Sequence, residues 1–171
     1  MTKYVERKVE TFDLPLAKNV SIMKPEMCII RFGAGYSIDI GARCYLKRAS
    51  IQRKRDQASR LVDLGSFNQA RSNRIRELVK LFSEKAASKS LAPLSLHSSC
   101  RDFLKFLDWC DLKGHEKVLE NERYARQAFR NYVEHLFESV MKDELASPTA
   151  STYQSFALTI LSELFCIDDL S

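Results

Sequence analysis

Apolar residues recur every three or four positions between residues 121 and 143, and this is the most regular pattern in the chain. The repeated positions are Ala125, Ala128, Phe129, Tyr132, Val133, Leu136, Phe137, Val140 and Met141. Such spacing places side chains on one face of an α-helix, because the helix turns once in 3.6 residues. The pattern predicts a long helix that buries one stripe and serves as scaffold, with Arg126 and Arg130 on its solvent side.

Three further helices are predicted around it. The first covers about residues 72 to 89 and ends before Pro93, since a residue that precedes proline avoids the helical region. Its outer faces carry mostly basic residues, among them Arg71. The second begins between Ser95 and Ser99, where Ser99 and Asp102 match a capping box, and ends at Gly114. The last begins at Ser147-Pro148, with serine as the cap and proline in the first turn.

A short β-hairpin is predicted before the helices. Residues 28–32 and 36–40 are rich in β-formers, and the three residues between them include Gly33 and Gly35. The fold class is therefore mainly α: a compact four-helix bundle preceded by a small N-terminal β-hairpin and irregular region. We expect two parts, an N-terminal region over residues 1–71 with a basic segment, and a helical domain over residues 72–171.

Positive charge is concentrated in the first half of the chain. Residues 1–90 hold 19 Lys and Arg against 9 Asp and Glu, whereas residues 91–171 hold 8 against 13. Seven of the basic residues fall between Arg43 and Arg60, where Asp56 is the one acid. A solvated connecting segment would also explain this run. The asymmetry is nevertheless the electrostatic pattern expected of a protein that binds a polyanion such as nucleic acid.

Composition excludes several other classes. No run of about 18 apolar residues occurs and the N-terminus lacks a secretory signal, so we expect a cytoplasmic protein without a membrane partner. Five scattered cysteines without a C-x-x-C pair favour reduced thiols that act as small core hydrophobes. The histidines His97, His115 and His135 lack metal-ligand spacing, although His97, near a predicted helix start, is placed to meet a phosphate.

Catalytic motifs do not occur in the sequence. There is no P-loop and no G-x-S-x-G, and Ile38 stands where a dinucleotide fingerprint begun at Gly33 would need its third glycine. The pair Asp168-Asp169 lies in the terminal tail, where solvated carboxylates are the ordinary case. We therefore expect no catalytic residue, metal, cofactor or small-molecule substrate in this chain.

Two segments suggest a family. The run Ser95-Leu-His-Ser-Ser-Cys-Arg-Asp-Phe-Leu-Lys-Phe-Leu-Asp-Trp-Cys-Asp has a Ser-capped helix that reaches "Phe-Leu-x-Trp". The run Ser147-Pro-Thr-Ala-Ser-Thr-Tyr-Gln-Ser-Phe-Ala-Leu-Thr-Ile-Leu-Ser-Glu-Leu-Phe has a Thr-rich start and a "Leu-x-x-Leu-Phe" end. With the long helix between them, about residues 72 to 168 resemble the helical core-binding domain of tyrosine recombinases of the phage-integrase type.

The resemblance implies a four-helix domain that covers one face of a DNA duplex while a C-terminal catalytic domain closes on the other. The family's His-x-x-Arg motif is not present here, and none of Tyr4, Tyr36, Tyr45, Tyr124, Tyr132 or Tyr153 takes the role of its tyrosine nucleophile. The chain ends at Ser171, about where a linker to that domain would begin. We therefore expect the DNA-binding N-terminal fragment of an integrase that serves DNA integration and recombination.

The expected contacts with duplex DNA are mainly to phosphates, which position a protein but read little sequence. The candidate residues are Lys47, Arg48, Arg53, Lys54 and Arg55 from the basic segment, Ser98, Arg101 and Lys105 from one helix, and Thr152 and Gln154 from another. Self-association on DNA is also expected of a recombinase. The alternatives are a helical protein–protein interaction or oligomerisation module that does not bind DNA, an RNA-binding module, and an enzyme whose site the sequence does not reveal.

Overall fold

A computed structural model describes residues 29–44 and 69–170. Strands β1 (Ile29–Gly33) and β2 (Tyr36–Asp39) form an antiparallel hairpin, and a short 3-10 helix (Gly41–Cys44) follows. Four helices complete this part of the chain: α1 (Gln69–Ser88), α2 (Pro93–Leu112), α3 (Glu122–Met141) and α4 (Ser147–Phe165). The predicted class, mainly α with a small N-terminal hairpin, is confirmed.

The hairpin turn needs residues with positive φ. Gly33 and Gly35 have φ values of +103° and +84°, which glycine adopts without steric cost. Ala34 between them has the left-handed φ of +52°. Gly33 also lies close to the start of α2, because a Cβ at this position would meet Pro93 Cγ at 3.4 Å. The missing side chain thus lets the hairpin approach the second helix.

The hairpin and the helices share one hydrophobic core. Ile30, Phe32 and Ile40 are buried in the same cluster as the apolar stripes of α1 and α2, and the ring of Phe32 meets that of Phe82 edge to face at 6.0 Å. The expected division between residues 71 and 72 falls inside α1, which begins at Gln69.

Two of the predicted helix starts are wrong in their capping. Helix α2 begins at Pro93, where the Ala92 carbonyl accepts the Leu96 N–H at 3.1 Å, so Ser99 lies inside the helix and caps nothing. In α4 the N-cap is Ala146, whose carbonyl accepts the Ala150 N–H at 3.0 Å. Proline in the first turn has the helical φ already, and the extended residue before each helix becomes the cap.

Helix α3 begins at a capping side chain. The Asn121 Oδ1 atom accepts the Tyr124 N–H at 3.0 Å, which satisfies one of the unpaired donors of the first turn. Most of the predicted stripe is buried, but Phe137 and Met141 are 66% and 68% exposed. They continue the edge of the stripe that begins at the half-buried Val133.

The cysteine prediction is right for two positions and wrong for one. Cys100 and Cys110 are free and buried in the core, whereas Cys166 is free and exposed. Cys166 ends α4 in the left-handed conformation with φ 52°, and this turn directs Ile167 and Leu170 back onto the core. Cys28 and the side chain of Cys44 lie outside the described residues.

Candidate nucleic-acid interface

Helix α2 presents the predicted residues Arg101 and Lys105 one turn apart. Their side chains are 56% and 45% exposed, and Asp102, which is 8% exposed, lies between them. The Asp102 Oδ1 atom is 3.9 Å from Arg101 Nε and 3.6 Å from Lys105 Nζ. Two cations beside one carboxylate leave one net positive charge at the surface. Ser98, one turn earlier, is half-buried.

Lys105 connects this surface to α4. Its Nζ donates to the Tyr153 Oη at 3.0 Å and lies 4.9 Å from the centre of the tyrosine ring. An ammonium over an aromatic face gains both cation–π attraction and a hydrogen bond. The two predicted helices therefore meet at a polar contact on the surface.

The other two predicted residues lie on different sides of the first turns of α4. Thr152 is exposed, but its Oγ1 donates to the Pro148 carbonyl at 3.0 Å, so the hydroxyl hydrogen is used within the helix. Gln154 borders a depression of about 310 Å³ together with residues from α3 and the C-terminal tail. Tyr153 thus faces α2, whereas Gln154 borders a depression that α3 also lines.

An arginine-rich groove on α3 was not predicted. It is an open depression of about 490 Å³ on the exposed face of this one helix, and each residue that lines it is charged or carries a side-chain amide. The lining residues are Glu122, Arg123, Arg126, Gln127, Arg130 and Asn131. Arg126 and Arg130 also line the depression that contains Gln154, so the two depressions share these arginines. The sequence signal was available, since the arginines recur at intervals of three and four, but the same spacing also describes an ordinary solvated face.

Arg126 is held in place at the middle of the groove. Its Nη1 donates to the Asp169 carbonyl at 2.7 Å and the Leu170 carbonyl at 3.3 Å, and its Nη2 is 3.6 Å from Glu122 Oε1. Leu170 is itself buried, so the C-terminal tail fixes this guanidinium. Arg123 and Arg130 are exposed, and within the described ranges neither is joined to a carboxylate by an ion pair.

The basic segment of the sequence analysis is described only at its beginning. Lys47, Arg48, Arg53, Lys54 and Arg55 lie outside the described residues. Arg43, the first cation of the run, forms an ion pair with Asp108 of α2. Its backbone carbonyl accepts the Arg71 Nε–H at 2.6 Å.

Arg71 was expected on the outer face of α1 and is instead fully buried. Its Nη1 and Nη2 donate to the two carboxylate oxygens of Asp111 at 2.7 and 3.0 Å. The Glu116 carbonyl accepts a further bond of 3.4 Å. This bidentate pair replaces the water that an exposed arginine would have, which is why the charge is tolerated in the core.

The histidines pack against aromatic rings. His115 stacks on Trp109 at 5.4 Å with an 18° angle between the rings, and His135 lies 5.5 Å from the same indole. His97, for which contact with a phosphate was the alternative interpretation, lies half-buried against Phe32 and Tyr36. No set of three or more potential metal ligands occurs in residues 29–44 and 69–170.

The buried thiols and the buried phenol remain protonated at neutral pH. Burial raises the pKa of Cys100 to about 12, and the nearby Arg43 charge opposes that rise only in part. Burial is also the main cause of the raised pKa values of Cys110 and Tyr132. Neither the two thiols nor this phenol is thus prepared to act as a nucleophile.

Comparison of the chain with protein-family models, with curated proteins and with solved structures finds no match in any of the three. In the part of the chain that the structure describes, no helix has both the length and the apolar character needed to cross a membrane.

Proposed function

We propose that this chain is a duplex-DNA-binding module and that it forms the N-terminal portion of a cytoplasmic tyrosine recombinase. The observation that carries the proposal is the contact between Lys105 Nζ and Tyr153 Oη. It brings the cations of α2 beside the first turns of α4, where backbone N–H groups have no side-chain cap. Cations and free N–H groups together suit the phosphates of a duplex.

The contacts divide into two kinds in this proposal. Arg101 and Lys105 bind phosphates and position the bundle on the duplex. Gln154, whose amide both donates and accepts, is placed to read the edge of a base in the major groove. The basic segment that includes Lys47 and Arg53 supplies additional charge, so its removal lowers affinity more than any single change in the bundle.

Fluorescence anisotropy with a labelled duplex of about 20 base pairs, or two helical turns, tests the proposal. Binding is expected to weaken between about 50 and 200 mM salt, with a logarithmic slope of about −0.9 for each phosphate contacted. Replacing both Arg101 and Lys105 with alanine should reduce that slope by nearly two. An RNA duplex of the same sequence serves as competitor. Tighter binding to RNA than to DNA would show that the module binds RNA.

The contradicting result is absence of binding at about 50 mM salt by a protein whose circular dichroism shows it to be folded. A second result would limit the proposal to the basic segment: unchanged affinity in the Arg101 and Lys105 variant together with loss of binding when Lys47, Arg48, Arg53, Lys54 and Arg55 are changed to glutamine. Both measurements use the whole chain.

A self-association module is the second candidate, because Phe137 and Met141 are exposed one turn apart on α3. Burial of such neighbouring apolar side chains against a second copy of the chain would favour association. Light scattering over a range of protein concentration distinguishes this candidate. A mass that rises with concentration in the wild type, but not in a Phe137→Gln and Met141→Gln variant, supports it, and a constant monomer mass excludes it.

A further inference from the structure

We infer that the groove on α3 is a second phosphodiester site, formed by Arg123, Arg126 and Arg130. The inference rests on the proposed function and extends it, since α3 was expected to be scaffold. It assigns a binding role to arginines that contribute nothing to the hydrophobic core.

The charge in the groove favours an anionic ligand. Three guanidinium groups line it together with one carboxylate, Glu122, which lies 3.6 Å from Arg126 Nη2. Arg123 and Arg130 are exposed on either side of this restrained pair. Like charges on neighbouring turns destabilise an isolated helix by a few tenths of a kcal/mol. A bound anion removes that repulsion, and guanidinium groups bind phosphate oxygens in a bidentate geometry.

The spacing along the helix suits a nucleic-acid strand. Arg123 and Arg130 are seven residues apart, which corresponds to a rise of about 10.5 Å along α3. One strand of B-form DNA advances about 3.4 Å along the duplex axis for each nucleotide, so with α3 parallel to that axis the two arginines would span about three nucleotide steps. Arg126 lies between them, held by the Asp169 and Leu170 carbonyls.

Adjacent residues of α4 connect the groove to the first surface. Tyr153 contacts Lys105 of α2, and Gln154 borders the depression that Arg126 and Arg130 also line. Phe129, Val133, Glu134 and Leu170 line the same depression, so apolar side chains interrupt the polar surface that runs from α2 across α4 to α3. We call this surface the belt; it consists of Arg101, Lys105, Tyr153, Gln154, Arg130, Arg126 and Arg123.

The lining of the groove favours nucleic acid over an acidic peptide. Its six residues are all charged or amide-bearing. Interfaces with proteins depend on apolar and aromatic anchors in their centre, whereas interfaces with nucleic acid are polar and strongly positive. The amides of Gln127 and Asn131 add donors for sugar or phosphate oxygens.

The test compares four double variants on one labelled DNA duplex. Arg123→Ala with Arg130→Ala is expected to lower affinity about tenfold near 100 mM salt and to reduce the salt slope by about 1.8. Arg123→Lys with Arg130→Lys keeps the charge and should keep the slope. Lys80→Ala with Lys142→Ala removes the same charge outside the belt, and should change affinity far less. Arg101→Ala with Lys105→Ala measures the contribution of the α2–α4 surface to affinity.

The outcomes separate this inference from the proposed function. A wild-type protein that does not bind the duplex overturns the proposed function. A second outcome is that the wild-type protein binds while the Arg123 and Arg130 alanine variant binds DNA no more weakly than the Lys80 and Lys142 control. That outcome overturns only the inference about the groove. Polyglutamate is tested as a competitor of the duplex. If it competes equally well, and if the same alanine variant no longer binds it, the ligand of the groove is an acidic peptide and not a phosphodiester. Thermal melting of each variant verifies that it is folded.

Discussion

Arg71 has no contact with water, and its charge is balanced inside the protein by Asp111. Removing two charges from water is expensive, so a buried pair adds less stability than its short distances suggest. Its geometry has a second consequence, because the same guanidinium bonds the Arg43 and Glu116 carbonyls. One side chain thereby joins the 3-10 helix, α1, α2 and the loop that leads to α3.

Replacing Arg71 with alanine should lower the free energy of unfolding by about 3–5 kcal/mol, because Asp111 is left buried and unpaired. Changing both residues, Arg71→Met with Asp111→Leu, should recover most of the loss. Urea denaturation followed by circular dichroism measures both. If the single and double variants were equally unstable, the backbone carbonyl contacts of Arg71 would matter more than its ion pair.

The buried thiols should make the protein sensitive to alkali. An unfolded cysteine ionises near pH 8.5, whereas burial keeps Cys100 protonated to about pH 12. The native state therefore holds a proton that the unfolded state loses, and the free energy of unfolding falls as the pH rises through this window. For one such thiol the slope is about 1.4 kcal/mol per pH unit.

Urea denaturation at several pH values between about 8 and 10 measures that slope. The Cys100→Ala variant should lose part of it, with Cys110 supplying the remainder. An identical pH dependence in the wild type and the variant would contradict the assignment. Below about pH 8.5 the contribution of Cys100 is complete, so the two proteins should there differ by a constant amount.

Among the elements, α2 and α4 begin at alanine without a side-chain cap, whereas α3 begins at Asn121. The first turn of α4 therefore has no side-chain acceptor for its N–H groups, and Thr152 lies one turn farther along the helix. Both helices carry proline in the first turn, which fixes the start without supplying an acceptor for those groups.

Substituting Ala146 with serine or aspartate should stabilise the protein by about 0.5–1 kcal/mol, because either side chain accepts a first-turn N–H. The two variants should differ in binding. Aspartate places a negative charge where the proposal places a phosphate, so Ala146→Asp should bind duplex DNA several-fold more weakly than Ala146→Ser. Thermal melting and anisotropy give the two quantities. Equal affinities of the two variants would show that the N-terminus of α4 does not contact DNA phosphates.

At the scale of the whole molecule, negative charge lies close to the arginine groove. The tail that holds Arg126 includes Asp168 and Asp169, both exposed. Their carboxylates oppose the field of the groove over the Debye length of about 10 Å at 0.1 M salt. The attraction of an anion to the groove therefore depends on the charges within about 10 Å of it, and the net charge of +5 does not describe it.

Changing Asp168 and Asp169 to asparagine should raise affinity for duplex DNA by about threefold at 0.1 M salt, because the repulsion is removed while the backbone contacts to Arg126 remain. Glu138→Gln with Glu144→Gln changes the net charge equally at a distance from the groove. Its effect on the anisotropy titration should be smaller. Equal effects of the two variants would mean that overall charge, and not the groove, controls binding.

The helices and the hairpin were largely predictable, because they depend on neighbours in the sequence. The spacing of Ala125, Phe129 and Tyr132 specifies a helical face whatever lies opposite, and Gly33 and Gly35 specify a turn. The cap positions were less predictable, since Ser99 and Ser147 have capping chemistry but the prolines determine where the backbone becomes helical.

Which polar residues are buried, and which lie together, was decided by the tertiary structure. Arg71 and Asp111 are 40 residues apart, and Lys105 and Tyr153 are 48 apart. Their contacts depend on how the helices cross, which the spacing of side chains within one helix does not specify. The sequence by itself determined four amphipathic helices, a hairpin and an excess of positive charge. Only helix packing buried Arg71, exposed Phe137 and brought Lys105 of α2 to Tyr153 of α4.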